Sequence, residues 1–360
     1  MMPDIDQLVC ATPVMRHDRV MLGHGGGGRL GADLLEQLIL PALGNDVLNR
    51  LEDQAVLRFD GQGSCSSGAE SGRLAITTDA FVVRPIFFPG GDIGCLAVHG
   101  TVNDLAVGGA EPRFLTVSLI LEEGLPMADL ERVLQSLGRA AKDARVQVVA
   151  GDTKVVERGN CDQIYITTTG VGYVPPGRSL SCHAARAGDH VIVSGTIGDH
   201  GVAIMSVREG LEFETVLKSD TACLSGLTRR MLDVCPDIRC MRDPTRGGVA
   251  SALNEIARAS NVGFLLSEAD LVVRPEVRAA CEMLGLDPLY MPCEGRLLAI
   301  VPPAESAELL TAMQSHPLGW NASVIGKVLS DHPGTVALRS TFGRERVIPM
   351  LSGEQLPRIC

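Results

Sequence analysis

The chain has 360 residues, of which 45% are hydrophobic and 21% are charged, a balance typical of globular rather than disordered proteins. This length predicts about two domains of ordinary size. The formal net charge of -11 comes without any run of basic residues, which argues against a nucleic-acid-binding surface.

Helical and extended patterns alternate through the first half. The segment GRLGADLLEQLILPAL predicts a helix, because Leu35, Leu38, Ile39 and Ala42 share one helical face. The segments LAITTDAFVV and RFLTVSLILEE predict strands, and DLERVLQSLGRAA predicts an amphipathic helix. Two more strands are predicted over VQVVAGDT and IYITTTGVGYV. The Gly/Ser-rich residues 60–72 predict a flexible loop.

The second half repeats this alternation after VPPGRSL, whose prolines and glycine predict a domain boundary. A strand is predicted over HVIVSG and helices over DHGVAIMSVREG and RGGVASALNEIARAS. The segments MPCEGRLLAIVP and SVIGKVLS close the pattern as strands. The sequence therefore predicts two α/β domains, each combining helices with a sheet.

The eleven cysteines are scattered, odd in number and without a CxxC pair, which indicates free thiols rather than disulfides or a structural zinc site. The first twenty residues lack the apolar core of a signal peptide, and no segment resembles a membrane span. A cytoplasmic protein with no membrane partner is expected.

Four aspartates stand where a strand or loop meets a glycine-rich or helical segment: Asp53, Asp79, Asp104 and Asp243. Mg²⁺ prefers oxygen ligands and typically combines a few carboxylates with phosphate oxygens. As a set, these residues favour a metal–phosphate site. Taken singly, Asp104 and Asp243 fit equally well as helix caps, a common role of aspartate near a helix start.

The loop GHGGGGRLG precedes the first predicted helix, so its backbone N–H groups and the helix dipole favour an anion. It lacks the Gly-Lys-Ser/Thr of a P-loop and the surroundings of a dinucleotide fingerprint, and a flexible linker is the alternative. Further along, Asp152 and Lys154 project from one side of an extended segment. They predict phosphate binding or a surface ion pair of small energetic value.

The motifs EDQAVL, TTDAFVV, HGTVNDLAVGGAEP, AGDTKVV and RDPTRGGVAS, in this order, resemble the ATP-using superfamily of aminoimidazole ribonucleotide (AIR) synthetase. The ending PRIC resembles the HypE family of hydrogenase maturation carbamoyl dehydratases within it. This resemblance implies a two-domain α/β (α+β) fold in a homodimer, whose N-terminal sheets join into a β-barrel. It divides the chain into an extension (1–22), an N-terminal ATP-binding domain (23–175), a C-terminal domain (176–348) and a flexible tail (349–360).

The resemblance also implies a reaction. A HypF-type carbamoyltransferase loads a carbamoyl group onto the terminal thiol, and ATP with Mg²⁺ then drives dehydration to a thiocyanate. The cyanide passes to iron on a HypC–HypD complex, for a [NiFe] hydrogenase. The catalytic residues implied are Cys360, Lys154 and Glu294. The metal ligands implied are Asp53, Asp79, Asp104 and Asp243. The nucleotide contacts implied are Gly25, Gly26, Gly27, Gly28, Asn103, Asp152, Thr245, Gly247 and Gly248.

The tail itself carries no periodic apolar pattern, and its 11 residues beyond Pro349 span at most about 35–40 Å when extended. That reach lets Cys360 move between a partner and its own ATP cleft. The terminal carboxylate is expected to raise the thiol pKa and Arg358 to oppose this.

Two other functions fit the residues. One is an ATP-dependent small-molecule ligase or kinase of the same superfamily, in which Cys360 has no role. The other is a scaffold that binds nucleotide without turning it over. Removing Cys360 should abolish the dehydratase activity but leave a small-molecule ligase or kinase active. ADP release under carbamoylating conditions is expected of the dehydratase and not of the scaffold.

Overall fold

A computed structural model describes residues 19–25, 28–58, 73–210, 217–351, 356 and 358–360. The predicted loop at 60–72 and most of the predicted extension at 1–22 lie outside this part of the chain. Within it, two sheets of five and seven strands, each covered by helices, confirm the predicted two-part α/β architecture.

The N-terminal sheet has the strand order β1-β2-β7-β5-β6, in which β5 and β6 are parallel and the other neighbours antiparallel. Burial alternates strictly along β7, as expected for a strand with one face on the core. The predicted strands of this half are therefore confirmed. The elements of this half are β1 (Ala55–Arg58), β2 (Arg73–Phe81), β3 (Phe87–Phe88), β4 (Gly91–Asp92), α3 (Ile93–Val107), β5 (Glu111–Glu122), α4 (Met127–Asp143), β6 (Gln147–Val156) and β7 (Ile164–Val174).

Helix α3 is one of four helices in the described part of the chain that the sequence analysis did not predict, the others being α6, α8 and α9, whose ranges are given below. Asp92 caps its N-terminus by accepting from the Gly94 and Cys95 N–H groups. Its side chains are buried on almost every face, so no amphipathic pattern marks it. It packs between the sheet and α4, which is amphipathic as predicted and buries Val133 and Leu137.

The C-terminal sheet has the order β14-β13-β10-β12-β8-β11-β9. Helix α7 packs against it, and Val249, Leu253, Ile256 and Ala257 are fully buried, as their helical spacing predicts. The elements of this half are β8 (His190–Val193), α5 (Asp199–Arg208), α6 (Ser225–Val234), β9 (Cys240–Arg242), α7 (Gly248–Ser260), β10 (Gly263–Ser267), α8 (Pro275–Leu284), β11 (Leu298–Val301), α9 (Ser306–Gln314), β12 (Ser323–Leu329), β13 (Val336–Arg339) and β14 (Glu345–Val347).

The first predicted helix forms as α1 (Arg29–Leu34), a π-turn (Leu35–Ile39) and α2 (Leu40–Leu43). The π-turn immediately precedes the turn that contains Pro41, which has no N–H to donate. The predicted apolar face does not reach the core, since Leu38 is 66% exposed. The helix was predicted correctly and its burial was not.

The division between the halves falls between β7 and β8, where VPPGRSL stands. The domain limits given above stay predictions. Among the described residues, no helix combines the length and hydrophobicity needed to span a bilayer.

The start of α7 requires glycine. Gly248 has φ +60°, and a Cβ there would lie 2.6 Å from the Leu289 carbonyl oxygen. We expect Gly248→Ala to destabilise the protein by more than about 1 kcal/mol, because backbone strain and steric overlap add. The urea unfolding midpoint measures the change. Gly138→Ala is the matched control, since Gly138 lies within α4 with open space around it. An equal midpoint for both variants contradicts the expectation.

Candidate active site between the two sheets

The four predicted aspartates converge where the two halves meet. Asp53 directly precedes β1, Asp79 lies in β2, Asp104 lies in the last turn of α3, and Asp243 follows β9. The Thr77 hydroxyl joins two of them, lying 2.9 Å from the Asp53 carbonyl oxygen and 2.8 Å from the Asp104 carboxylate.

This placement decides between the two interpretations of Asp104 and Asp243. Asp104 is at the C-terminal end of α3, whose N-cap is Asp92, so it is not a helix cap. Helix α7 has Gly247 as its N-cap and no side-chain cap, so Asp243 does not cap it either. The capping alternative is wrong for both residues.

Burial raises the pKa of all four carboxyl groups, and repulsion from neighbouring carboxylates adds to the shift of Asp53, Asp104 and Asp243. Burial raises the pKa of Asp243 to about 8, and the charges of Asp53 and Asp79 add to the shift. Burial also raises the pKa of Asp53 to about 6, although Arg242, 3.1 Å from its carboxylate, opposes this. The pKa of Asp104 is raised by burial and then by Asp79, and that of Asp79 by burial against the charge of Arg246. A cluster of this kind favours a cation.

The donor set fits Mg²⁺ held jointly with nucleotide phosphates. Its atoms are carboxylate oxygens, the ligands that Mg²⁺ prefers. Among the described residues, no three of these four carboxylates lie within 4.8 Å of one another. They do not form an all-protein cage, and Mg²⁺ usually takes only one or two carboxylates together with phosphates and water.

Glu294 extends the acidic cluster towards the end of the chain. It is buried, its N–H donates to Asp220 Oδ1 at 3.1 Å, and its Oε1 has no hydrogen-bond partner in the structure. Burial raises its pKa well above the ordinary value, and the charges of Asp243 and Asp220 raise it further. A buried carboxyl with an unpaired oxygen is suited to exchanging a proton with a group placed beside it.

The described end of the tail lies in this site. The Val82 N–H donates to the Cys360 main-chain oxygen at 3.1 Å, and Ile359 forms an antiparallel bridge with Val83. His200 Nε2 lies 2.7 Å from the Ile359 carbonyl oxygen. The tail thus pairs side by side with the segment that follows β2, and the terminal thiol lies beside Glu294.

The thiol of Cys360 is held protonated here. Burial raises its pKa first, and the charge of Glu294 raises it next. The opposing cation is Arg246, which also donates to the Gly25 carbonyl oxygen at 3.3 Å. Arg358, which the sequence suggested for this role, instead contacts Asp162 at 2.8 Å.

Beside the thiol is a cavity of about 270 Å³, lined by residues from the glycine loop, the end of β2, the α7 entry turn and the tail. Gly25 and Gly247 are among them. Gly28 caps α1, and the Arg29 N–H donates to the Leu351 carbonyl oxygen at 2.8 Å. The Thr245 carbonyl accepts from the Gly248 N–H at 2.9 Å. The predicted contacts Gly26 and Gly27 lie outside the described residues.

The remaining predicted site residues do not have the surroundings that the sequence suggested. Both amide hydrogens of Asn103 are used, by the carbonyl oxygens of Ala222 at 2.9 Å and Glu294 at 3.3 Å. It therefore holds the loop before α6 rather than offering a free donor. Asp152 and Lys154 are exposed on β6. The strand order places β6 three steps from β2 and Asp79, about 14 Å at the usual strand spacing.

Sequence reasoning missed Arg246 and Asp220. Arg246 stands inside RDPTRGGVAS, three residues after Asp243, so a charge partner for the cluster was within the motif. Asp220 is distant from any motif and carries no local signal.

Comparison with known proteins agrees with this geometry. Family models for AIR synthase related proteins match residues 51–174 with the N-terminal domain and 186–339 with the C-terminal domain. The chain is 51% identical over 346 residues to the carbamoyl dehydratase HypE of Azotobacter vinelandii, covering 96% of this chain and 98% of that protein.

Two solved structures are similar throughout. One is of a HypE–HypF complex, with 42% identity, a TM-score of 0.81, and coverage of 88% of this chain and 99% of that chain. The other is of HypE in complex with ATP, with 44% identity, a TM-score of 0.77, and coverage of 95% of this chain and 100% of that chain. The family resemblance drawn from the motifs is confirmed.

The raised pKa of Asp243 predicts how stability changes with pH. A carboxyl whose folded pKa is about 8, against 3.8 ordinarily, stabilises the fold fully below the ordinary value and loses this contribution as pH rises to about 8. Without metal, we expect the unfolding temperature to fall between about pH 6 and about pH 8. The fall should be smaller in Asp243→Asn, and added Mg²⁺ should reduce it in the unmutated protein. Calorimetry with and without Mg²⁺ measures this, and identical pH profiles for the two proteins would contradict it.

Proposed function

The chain belongs to the HypE family of carbamoyl dehydratases within the AIR synthase related proteins, and we propose that it dehydrates a carbamoyl group on its own Cys360. The product is a protein thiocyanate, and ATP drives the reaction. The observation that carries this proposal is the placement of the terminal thiol beside Glu294, next to the acidic cluster. The ATP complex of a similar HypE supports the cosubstrate.

The carbamoyl oxygen is a poor leaving group, so the reaction begins by activating it. The carbamoyl oxygen of the S-carboxamide attacks the γ-phosphorus of ATP, ADP leaves, and the oxygen becomes part of a phosphate ester. Loss of both N–H protons and cleavage of the C–O bond then release phosphate and leave a C≡N group on sulfur. The four aspartates would hold Mg²⁺, which offsets phosphate charge when bound.

The residues of this chain position the reacting group and move its protons. The Val82 and Arg84 N–H groups donate to the main-chain oxygens of Cys360 and Arg358 and hold the end of the tail in place, which replaces a bimolecular encounter by a fixed geometry. Glu294 is the group proposed to accept a proton from the carbamoyl nitrogen, and its raised pKa, which makes its carboxylate a stronger base, supports this role. Lys154 is the second group proposed for proton transfer.

The partners follow from the same chemistry. A HypF-type carbamoyltransferase supplies the carbamoyl group, as the HypE–HypF complex supports. A HypC–HypD complex carrying iron receives the cyanide, for a [NiFe] hydrogenase centre. The nine cysteines in the described part of the chain are all free, in keeping with the predicted cytoplasmic location.

Intact mass spectrometry tests the reaction. With the carbamoyltransferase, carbamoyl phosphate and ATP, we expect the C-terminal peptide to gain one carbamoyl group and then lose the mass of one water. Glu294→Gln should accumulate the carbamoylated form, because loading precedes proton removal, and Cys360→Ala should show neither change. If the C-terminal peptide of the unmutated chain stays unmodified while Cys360→Ala still turns over ATP, the small-molecule enzyme becomes the better reading.

A homodimer is also proposed, from the edge of the N-terminal sheet. Nine of the ten residues of β6 are exposed, and Val149 and Val155 are 58% and 67% exposed. An open apolar edge strand favours pairing with a second copy. Pairing here would let Lys154 of one subunit approach the acidic cluster of the other subunit. Within one subunit, the strand order keeps Lys154 away from the acidic cluster.

Mixed dimers test this arrangement. Lys154→Ala and Glu294→Gln should each inactivate a homodimer, whereas random mixing of the two variants should restore about a quarter of the unmutated rate. Each mixed dimer then has one complete site, built from the intact Glu294 of one subunit and the intact Lys154 of the other. If Lys154 serves its own subunit, mixing restores nothing.

A further inference from the structure

A second group of potential metal ligands lies where the two halves meet. The ligand atoms of Glu52, Cys182 and His183 all lie within 4.8 Å of one another. Among the described residues, this is the one set of three or more His, Cys, Asp or Glu side chains with that property. The proposed dehydratase mechanism uses none of them.

Two features bring these side chains together. Glu52 stands just before β1, and its carboxylate accepts from the Cys182 N–H at 3.0 Å and from the Ser181 hydroxyl. Cys182 and His183 follow the linker after β7 in a turn, where neighbouring side chains can point the same way, as they cannot in a strand. The carboxylate is thereby fixed beside the thiol.

Both ring nitrogens of His183 face main-chain carbonyl oxygens. Its Nδ1 lies 3.0 Å from the Ala259 carbonyl oxygen, and its Nε2 lies 3.0 Å from the Arg50 carbonyl oxygen. A protonated imidazole donates to both, whereas a neutral one donates to only one of them. A metal ion would take the nitrogen of the neutral ring that does not donate, in place of its carbonyl contact.

We propose that Glu52, Cys182 and His183 bind a divalent cation of the zinc class. A thiolate, an imidazole and a carboxylate form a mixed donor set that suits Zn²⁺, whereas the oxygen-only aspartate cluster suits Mg²⁺. Binding releases the thiol proton to solvent and forms the metal–sulfur bond. All three residues line two cavities of about 650 and 680 Å³, which leave a fourth position open to water.

The bound cation links parts of the fold where the two halves meet. Glu52 lies just before β1, Cys182 and His183 lie in the turn after the linker, and Ala259, which contacts the imidazole, lies at the end of α7. Three parts of the fold are thereby tied together one residue from Asp53. The cation thereby holds the segment that leads into β1, which includes Asp53 of the acidic cluster.

Cobalt substitution tests the site. Co²⁺ is titrated into metal-free full-length protein with Mg²⁺ in excess, so that the oxygen-only cluster is saturated. We expect one equivalent to produce a thiolate-to-cobalt charge-transfer band and visible bands of four-coordinate Co²⁺, both displaced by Zn²⁺. Cys182→Ser should abolish the charge-transfer band. His183→Asn should weaken Zn²⁺ binding by more than the roughly 10- to 100-fold typical of changes outside the ligand shell.

Two control variants make the result specific. Cys235→Ser removes another thiol paired with a carboxylate, Glu305 at 2.6 Å, in a cluster without histidine, and should leave the band unchanged. Cys360→Ser removes the terminal thiol and should leave it unchanged as well. His183 is exposed, so His183→Asn is expected to keep the native circular dichroism. No band, a band that survives Cys182→Ser, or a band lost in Cys360→Ser overturns the proposal.

Discussion

Five carboxyl groups share one poorly solvated space between the two sheets, and the cost of ionising them there is the constraint on which the site depends. Asp53, Asp79, Asp104, Asp243 and Glu294 all have raised pKa values, with burial as the first cause in each case. Such a cluster is stable only when protons or cations are present. Burial of the carboxyl groups therefore makes the site favourable for a cation.

The basic groups around this space are few and specifically placed. Arg242 contacts Asp53 at 3.1 Å and Glu255 at 2.7 Å, so it is committed to one side of the cluster. Arg246 opposes the shifts of Asp79, Glu294 and Cys360 on the other side. With so little compensation from side chains, the phosphates of a bound nucleotide would need metal ions or backbone N–H groups to offset their charge.

The same constraint explains why the tail is held by its main chain. A thiolate beside Glu294 would add one more negative charge, and the structure keeps the thiol neutral through burial. The contacts that hold the tail include backbone hydrogen bonds from Val82 and Arg84 and the approach of His200 to the Ile359 carbonyl oxygen, none of which requires a charged sulfur. A neutral S-carboxamide suits this space better than a thiolate does, because it adds no charge.

Local sequence determined most of the secondary structure and the identity of the reactive groups. Period-two burial along β7 and helical spacing along α7 follow directly from the order of apolar residues. The motifs marked the four aspartates, and the final residue marked the thiol. These features depend on residues close together in the chain, so they can be predicted from one sequence.

Tertiary structure decided what each group contacts. It placed Asp104 in the cluster rather than at a helix cap, engaged the Asn103 amide, separated Lys154 from its own Asp79, and brought Glu52 to Cys182 and His183. It also buried α3 on nearly every face and left the apolar face of α1 and α2 exposed. These outcomes depend on contacts between residues far apart in the chain, which no local periodicity encodes.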